Sequence, residues 1–163
     1  MSELTIRAAQ DADWPAVWRI FHTVVLAGDT YAFDPATTEE GAQQVWWYPA
    51  VHPFVAEEDG QIVGTYMLKT NQPGLGSHVV NAGYMVDPQA RGRGIASRLC
   101  AHSIETARQM GYQAIQYNFV VSTNAVAVRL WERHGFTVVG RVPQAFRHAQ
   151  LGLTDVLIMH RFL

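Results

Sequence analysis

The sequence predicts an α/β (α+β) fold, with about seven strands and about four helices in the order β-α-α-β-β-β-α-β-α-β-β. Three observations carry this. Apolar spacing switches along the chain between a period of two and a period near 3.6. Glycines stand just past three helix-like segments, at Gly28, Gly111 and Gly135, and the dipeptide Asp59-Gly60 separates two strand-like runs. At 163 residues and 48% hydrophobic content the chain is long enough for one packed core and short for two. A single domain over residues 1–163 is therefore expected, and no repeat or low-complexity linker divides it.

Thr5 to Ala9 reads as a first strand. Asp13 is placed to N-cap a helix whose apolar face is Trp14, Val17, Trp18, Phe21, Val24 and Val25, ended by Gly28. The loop DTYAFDPATTEEG leads to a capping box at Thr37 and Glu40 and a short helix carrying Val45 and Trp46, stopped by Pro49. Phe54 to Glu58 and Gln61 to Thr70 form a hairpin around Asp59-Gly60, and a third meander strand runs from about His78 to Val86. Arg93 to Met110 is helical, with Ile95, Leu99, Ile104 and Ala107 on one face. A strand over Ala114 to Val121, a helix over Asn124 to His134 and β-rich stretches Phe136 to Val142 and Asp155 to Phe162 complete the chain.

Composition removes several function classes. A formal net charge of −2 offers no global attraction to nucleic acid or an anionic membrane, so any anion must be held locally. No stretch approaches the roughly 18 apolar residues of a membrane span, and the start, MSELTIRAAQDADW, has no basic region followed by an apolar run. The single cysteine, Cys100, allows no intrachain disulfide. A soluble, cytoplasmic protein is the expectation. Seven histidines fall in no metal-ligand spacing, so no metal site is expected.

The stretch VDPQARGRGIASRLC, residues 86 to 100, places Gly92 and Gly94 between Arg91 and Arg93 where a strand turns into a helix. The first amides of a helix lack intrahelical partners and lie at the positive end of its dipole, so a turn without side chains there suits a phosphate. Two arginines suit a diphosphate better than a carboxylate. A nucleoside-triphosphate loop would need GxxxxGK and a hydroxyl for magnesium, which are absent. A dinucleotide fingerprint would need a third glycine where Ser97 stands and an acid where Gln113 to Gln116 lie. The plain alternative is a glycine-rich helix start that serves only the turn.

The motif resembles the acyl-CoA loop Q/R-x-x-G-x-G/A of the GNAT N-acetyltransferases, matched by Arg91, Gly94 and Ala96 after the turn Val86, Asp87 and Pro88. NAVAVRLWERHGF, residues 124 to 136, is similar to that family's N-x-x-A-x-x-L-Y-x-x-x-G-F. The resemblance implies a central, mixed, mostly antiparallel twisted sheet splayed between its fourth and fifth strands, with acetyl-CoA as cosubstrate. It also implies that Arg91, Gly92, Arg93, Gly94, Ile95 and Ala96 hold the pyrophosphate. Tyr84, Met85 and Val86 would pair with the pantetheine, with the Met85 amide as oxyanion donor, and Asn124 and Trp131 would complete the cofactor site.

The chemistry needs a neutral amine, an oxyanion donor and a proton for the leaving thiolate. Trp131 stands where the family has its tyrosine, and the family's glutamate position falls on Phe119. Glu57 and Glu58 on the second strand read as solvated or structural. The splayed strands carry amides and phenols instead: Asn81 and Tyr84 on one, Tyr117 and Asn118 on the other. A buried asparagine must satisfy four hydrogen-bonding sites, so this pair suggests a polar pocket, although each could face solvent at a strand end.

TYAFDPATTEE and GFTVVGRVPQAFRH resemble the phosphinothricin-type acetyltransferases, whereas SHVVNAGYMV with QYNFVVSTNAVAVRLWERHGF is similar to the proline-analogue (azetidine-2-carboxylate) enzymes. The resemblance implies a small amino acid or imino acid as acceptor, held by Asn81, Tyr117 and Asn118, with Tyr31 and Phe33 closing over it. Asn81 and Asn118 would be its catalytic side chains. A protein-tail acetyltransferase and an acyl-CoA sensor without turnover are the alternatives, and the apolar final strands are a candidate surface for a homodimer.

Overall fold

The computed structural model describes residues 3–163. Among them are seven strands and four α-helices: β1 (Thr5–Ala8), α1 (Trp14–Ala27), α2 (Glu39–Trp46), β2 (Val51–Glu58), β3 (Gln61–Thr70), β4 (Val79–Val86), α3 (Ile95–Gln109), β5 (Ala114–Val121), α4 (Ala125–Arg133), β6 (Thr137–His148) and β7 (Gly152–Phe162). They form one sheet in the order β1-β2-β3-β4-β5-β7-β6. Every neighbouring pair is antiparallel except β4 and β5, which run parallel. Among the described residues no helix is long and apolar enough to cross a membrane.

The two faces of the sheet carry separate cores, and strand alternation divides them. Val80, Ala82 and Tyr84 of β4, with Ile115 and Tyr117 of β5, pack beneath Leu99, Ile104 and Trp131 of α3 and α4. Met85 of β4 faces the other way, onto Val17, Phe21 and Trp46 of α1 and α2. Gly83 lies on that second face, where a Cβ would come within 3.0 Å of the Trp46 ring, so the missing side chain lets α2 lie flat on the strand. The Trp46 indole N–H donates to Thr65 Oγ1 at 3.1 Å, and that hydroxyl donates to the Phe54 carbonyl at 2.8 Å. These bonds tie α2 to β2 and β3.

Several local expectations need correction. Asp13 does not cap α1 with its side chain. The carboxylate accepts the Gln10 N–H and two bonds from Arg7, because an ion pair with β1 is available to it. The capping residue of α2 is Thr38 rather than Thr37, with Oγ1 accepting from Gly41 N–H at 3.1 Å. On α1, Ile20 is buried and Trp18 is only half-buried. α3 begins at Ile95 and not Arg93, since Gly94 is left-handed at φ 75°. The last two strands run further than alternation suggested and meet in a long hairpin from Thr137 to Phe162, bent by two register shifts.

Candidate active site

β4 and β5 pair only at Val79–Ala114 and Val80–Ile115. Beyond that point β4 stays on β3 as far as Val86–Gly64, while β5 follows β7 with a register shift between Tyr117 and Val120. The facing edges of the two strands therefore part, leaving backbone groups without a ladder. Their direction follows from two bonds: Asp87 N–H donates to the Val63 carbonyl and Asn71 N–H to the Val79 carbonyl, each at 2.9 Å. In an antiparallel pair such groups alternate, so residues 79, 81, 83, 85 and 87 face β3, and 82, 84 and 86 face the gap. This corrects the expectation for Met85, whose amide belongs to the β3 ladder. The Val86 amide opens into the gap instead.

Tyr31, in the loop after α1, reaches across to this edge. Its hydroxyl accepts the Tyr84 N–H at 2.8 Å and donates to the Tyr84 carbonyl at 2.7 Å. Burial pushes the phenol well above its ordinary range. The hydroxyl is thus a brace for β4 and is not free for a ligand, although the ring still forms a wall. Phe33 stacks on that ring at 5.7 Å and meets Phe21 at 5.2 Å.

Asn81 and Asn118 share the α1 and α2 face of the sheet. Asn81 Nδ2 donates across the top of the gap to the Gln116 carbonyl at 3.1 Å. Gln116 Nε2 donates to Asn118 Oδ1 at 3.0 Å, and Asn118 Nδ2 to Asn71 Oδ1 at 2.6 Å. The result is a polar row beside the gap, with Asn118 exposed. Tyr117, expected to line the same pocket, points to the opposite face, in phase with Ile115. Its hydroxyl lies 2.8 Å from that of Tyr84 and 3.7 Å from Cys100 Sγ, and the Tyr84 hydroxyl is 2.7 Å from Ser103 Oγ. Burial raises both phenols, so this network is a satisfied part of the core. Trp131 stacks against the same two rings, at 4.8 Å from Tyr84 and 5.2 Å from Tyr117.

At the end of β4 the chain turns through Gly92 (φ 77°) and Gly94 (φ 75°), both left-handed, and a Cβ on either would meet nothing within 4 Å. The first helical bond of α3 runs from Arg98 N–H to the Gly94 carbonyl at 3.2 Å. Among the described residues no amide from Arg91 to Ser97 has a hydrogen-bond partner. Ile95 is buried and anchors the turn, and Ala96 is half-buried. This is an open cradle of N–H donors at a helix N-terminus, and it fits a diphosphate. The Asp87 carboxylate holds the lead-in by accepting from Gln89 N–H at 3.0 Å and from Arg19 at 2.7 Å. Burial alone would raise that carboxyl, but these donors outweigh it and hold it low.

Arg93 is paired with Glu58, while Arg91 is exposed. Glu57 is bonded to Arg7 at 2.8 Å, so the two acids of β2 have structural partners. Asn124 caps α4, with Oδ1 accepting from Ala127 N–H at 3.3 Å. Two further features were not read from the sequence. Ser97 Oγ meets His134 Nε2 at 2.8 Å and links the cradle to the end of α4. Asp29 Oδ1 is buried without a hydrogen-bond partner among the described residues. An acid just after a helix-ending glycine gives no local sign of burial.

A model of the acetyltransferase (GNAT) family matches residues 15–136. N-acetyltransferase aca1 of Schizosaccharomyces pombe is 36% identical over 86 residues, which are 53% of this chain and 41% of that protein. The L-amino acid N-acetyltransferase AaaT of Escherichia coli is 28% identical over 141 residues, 86% of either chain. The L-methionine sulfoximine/L-methionine sulfone acetyltransferase of Salmonella typhimurium is 30% identical over 86% of this chain and 84% of its own. Among solved structures, a GCN5-related N-acetyltransferase from Kribbella flavida superposes with a TM-score of 0.93 at 45% identity, over 98% of both chains. The acetyltransferase yncA of Salmonella typhimurium, solved with acetyl-CoA, has a TM-score of 0.84 at 26% identity, over 99% of this chain and 95% of its own.

Proposed function

The chain belongs to the acetyltransferase (GNAT) family, and from that premise we propose that it moves the acetyl group of acetyl-CoA onto the amine of a small amino acid or amino-acid analogue. One observation supports this acceptor above others: a polar row of Asn81, Gln116 and Asn118 lies beside the parted strands, on the face that Tyr31 and Phe33 wall in. Aromatic walls around a few amides suit a compact zwitterion better than an extended peptide. The names of the bacterial relatives, which refer to L-amino acids and methionine sulfoximine, point the same way.

Bound acetyl-CoA supplies an activated acetyl thioester. The amides from Arg91 to Ala96, with the Arg91 guanidinium, would hold its pyrophosphate, and the gap between β4 and β5 would take the extended arm. Within that gap the Val86 N–H is the donor aimed where negative charge develops on the carbonyl oxygen. Asn124, whose Oδ1 is used by the helix cap, keeps its Nδ2 for the arm. Trp131 is an apolar wall there and donates no useful proton.

The test is thiol release from acetyl-CoA with free amino acids, proline analogues, azetidine-2-carboxylate, phosphinothricin, methionine sulfoximine, polyamines and one lysine peptide. Turnover confined to one compact amino-acid group is expected, and turnover on the peptide alone would replace this reading with a protein acetyltransferase. Asn81→Ala and Asn118→Ala should each slow the preferred acceptor more than fourfold. A smaller change removes those residues from the acceptor site.

A further inference from the structure

An amino group reaches an enzyme in water mostly as an ammonium, and only its neutral form attacks a carbonyl, so amine acetylation needs a proton acceptor. Neither β4 nor β5 carries a carboxylate. Glu57 is bonded to Arg7 and Glu58 is paired with Arg93. Asp87 is held by Arg19 and Asp13 by Arg7. Asp29 differs from all of these: its Oδ1 is sealed from solvent and, among the described residues, no donor reaches it. A buried carboxylate oxygen without a partner lowers stability, and a persistent example calls for a functional account.

The chain on either side fixes where this oxygen sits. Gly28, immediately before, is left-handed at φ 65°, and its carbonyl accepts the Ala149 N–H at 2.9 Å, at the turn joining β6 to β7. Tyr31, two residues on, has its hydroxyl on the Tyr84 backbone in the gap. Two residues of chain span at most about 7 Å. Asp29 is thus held between the β6–β7 turn and the aromatic wall, on the side of the gap that carries Asn81 and Asn118.

We propose that Asp29 binds the ammonium of the acceptor and takes its proton. This rests on the acceptor reading above, in which a free amine is delivered at this face. The N–H bond of the ammonium breaks, its electron pair stays on nitrogen as the attacking lone pair, and the proton goes to Asp29 Oδ1. The carboxylic acid so formed returns that proton to water after the product leaves. The partner missing from the free chain is then the substrate itself, and the unpaired oxygen is a stability cost retained for activity.

Asp29→Asn keeps the shape and removes the charge and basicity, and Asp29→Ala removes the polar end. Both are compared with wild type for kcat and KM toward the preferred amine, for acetyl-CoA binding by calorimetry, and for Tm. The expected result is a fall in kcat/KM of tenfold or more in both variants, with acetyl-CoA Kd within twofold of wild type. Asp29→Asn should also melt at or above the wild-type Tm, because the unpaired charge is gone. A fall in kcat/KM of less than tenfold overturns the proposal. So does a Tm lowered by more than about 2 °C in Asp29→Asn, which would make the carboxylate a structural one. If wild type is silent toward free amino acids, the acceptor reading fails on its own, and Asp29 is judged by the lysine peptide and by the Tm comparison, which needs no acceptor.

Discussion

Removing the Tyr31 hydroxyl isolates the brace that holds the open edge of β4. In Tyr31→Phe the ring stays in place against Phe33 and Trp46, while the Tyr84 N–H and carbonyl lose bonds of 2.8 and 2.7 Å. A buried backbone group left unpaired costs about 1–3 kcal/mol. Two groups are released, but the gap admits water to one side, so the low end of the range is appropriate and the total is about 2 kcal/mol. For a chain of this size about 1 kcal/mol moves Tm by 2–4 °C, so Tm should fall by about 4–8 °C. Differential scanning calorimetry of the two proteins, with circular dichroism to show equal secondary structure, measures it. A Tm within about 1 °C of wild type would refute the view that this hydroxyl secures the strand edge.

Gly94→Ala places a Cβ in empty space at a left-handed residue, so stability should fall by only about 1 kcal/mol. Acetyl-CoA Kd should nonetheless rise at least tenfold by calorimetry, and an unchanged Kd would remove the phosphate role of the turn. The Asp13 carboxyl is held below its usual 3.8 by the Arg7 bonds, against the effect of burial, with help from the Gln10 N–H. A lowered folded pKa means its stabilisation is complete above that usual value and drains away as pH falls toward the folded one. Asp13→Asn should therefore be less stable than wild type in urea at pH 7 and lose less on acidification below pH 4, whereas equal losses in both would refute the coupling. Burial pushes the Cys100 thiol up to about 11. An aromatic disulfide reagent at pH 8 should leave the native thiol unmodified and titrate one thiol after denaturation, and fast native labelling would show the core to be open.

Much of this molecule is written locally. The alternation in VVNAGYMV sends Val80, Ala82 and Tyr84 to one core and Met85 to the other, and Asp59-Gly60 closes its hairpin with both residues at positive φ. Gly92 and Gly94 mark a cradle because only the absence of a Cβ leaves it open, a property of the residues themselves. The same alternation in AIQYNFVV already puts Tyr117 with Ile115 and away from Asn118, so its true face was legible from phase alone.

Other features depend on partners distant in sequence. Whether the Met85 or the Val86 amide faces the gap depends on the register with β3, since backbone donors alternate edges whatever the side chains are. Glu57 and Glu58 lose any catalytic candidacy to Arg7 and Arg93, which β1 and the cradle bring alongside. Tyr31 becomes a strand brace because β4 has an edge that β5 abandons. The sequence by itself determined the elements, their order and the phosphate cradle, since propensity, periodicity and glycine conformation act over a few residues. Tertiary structure alone decided which amide opens into the gap, which acids are paired and why the Asp29 oxygen is sealed without a partner, because register and burial are set by the whole packed sheet.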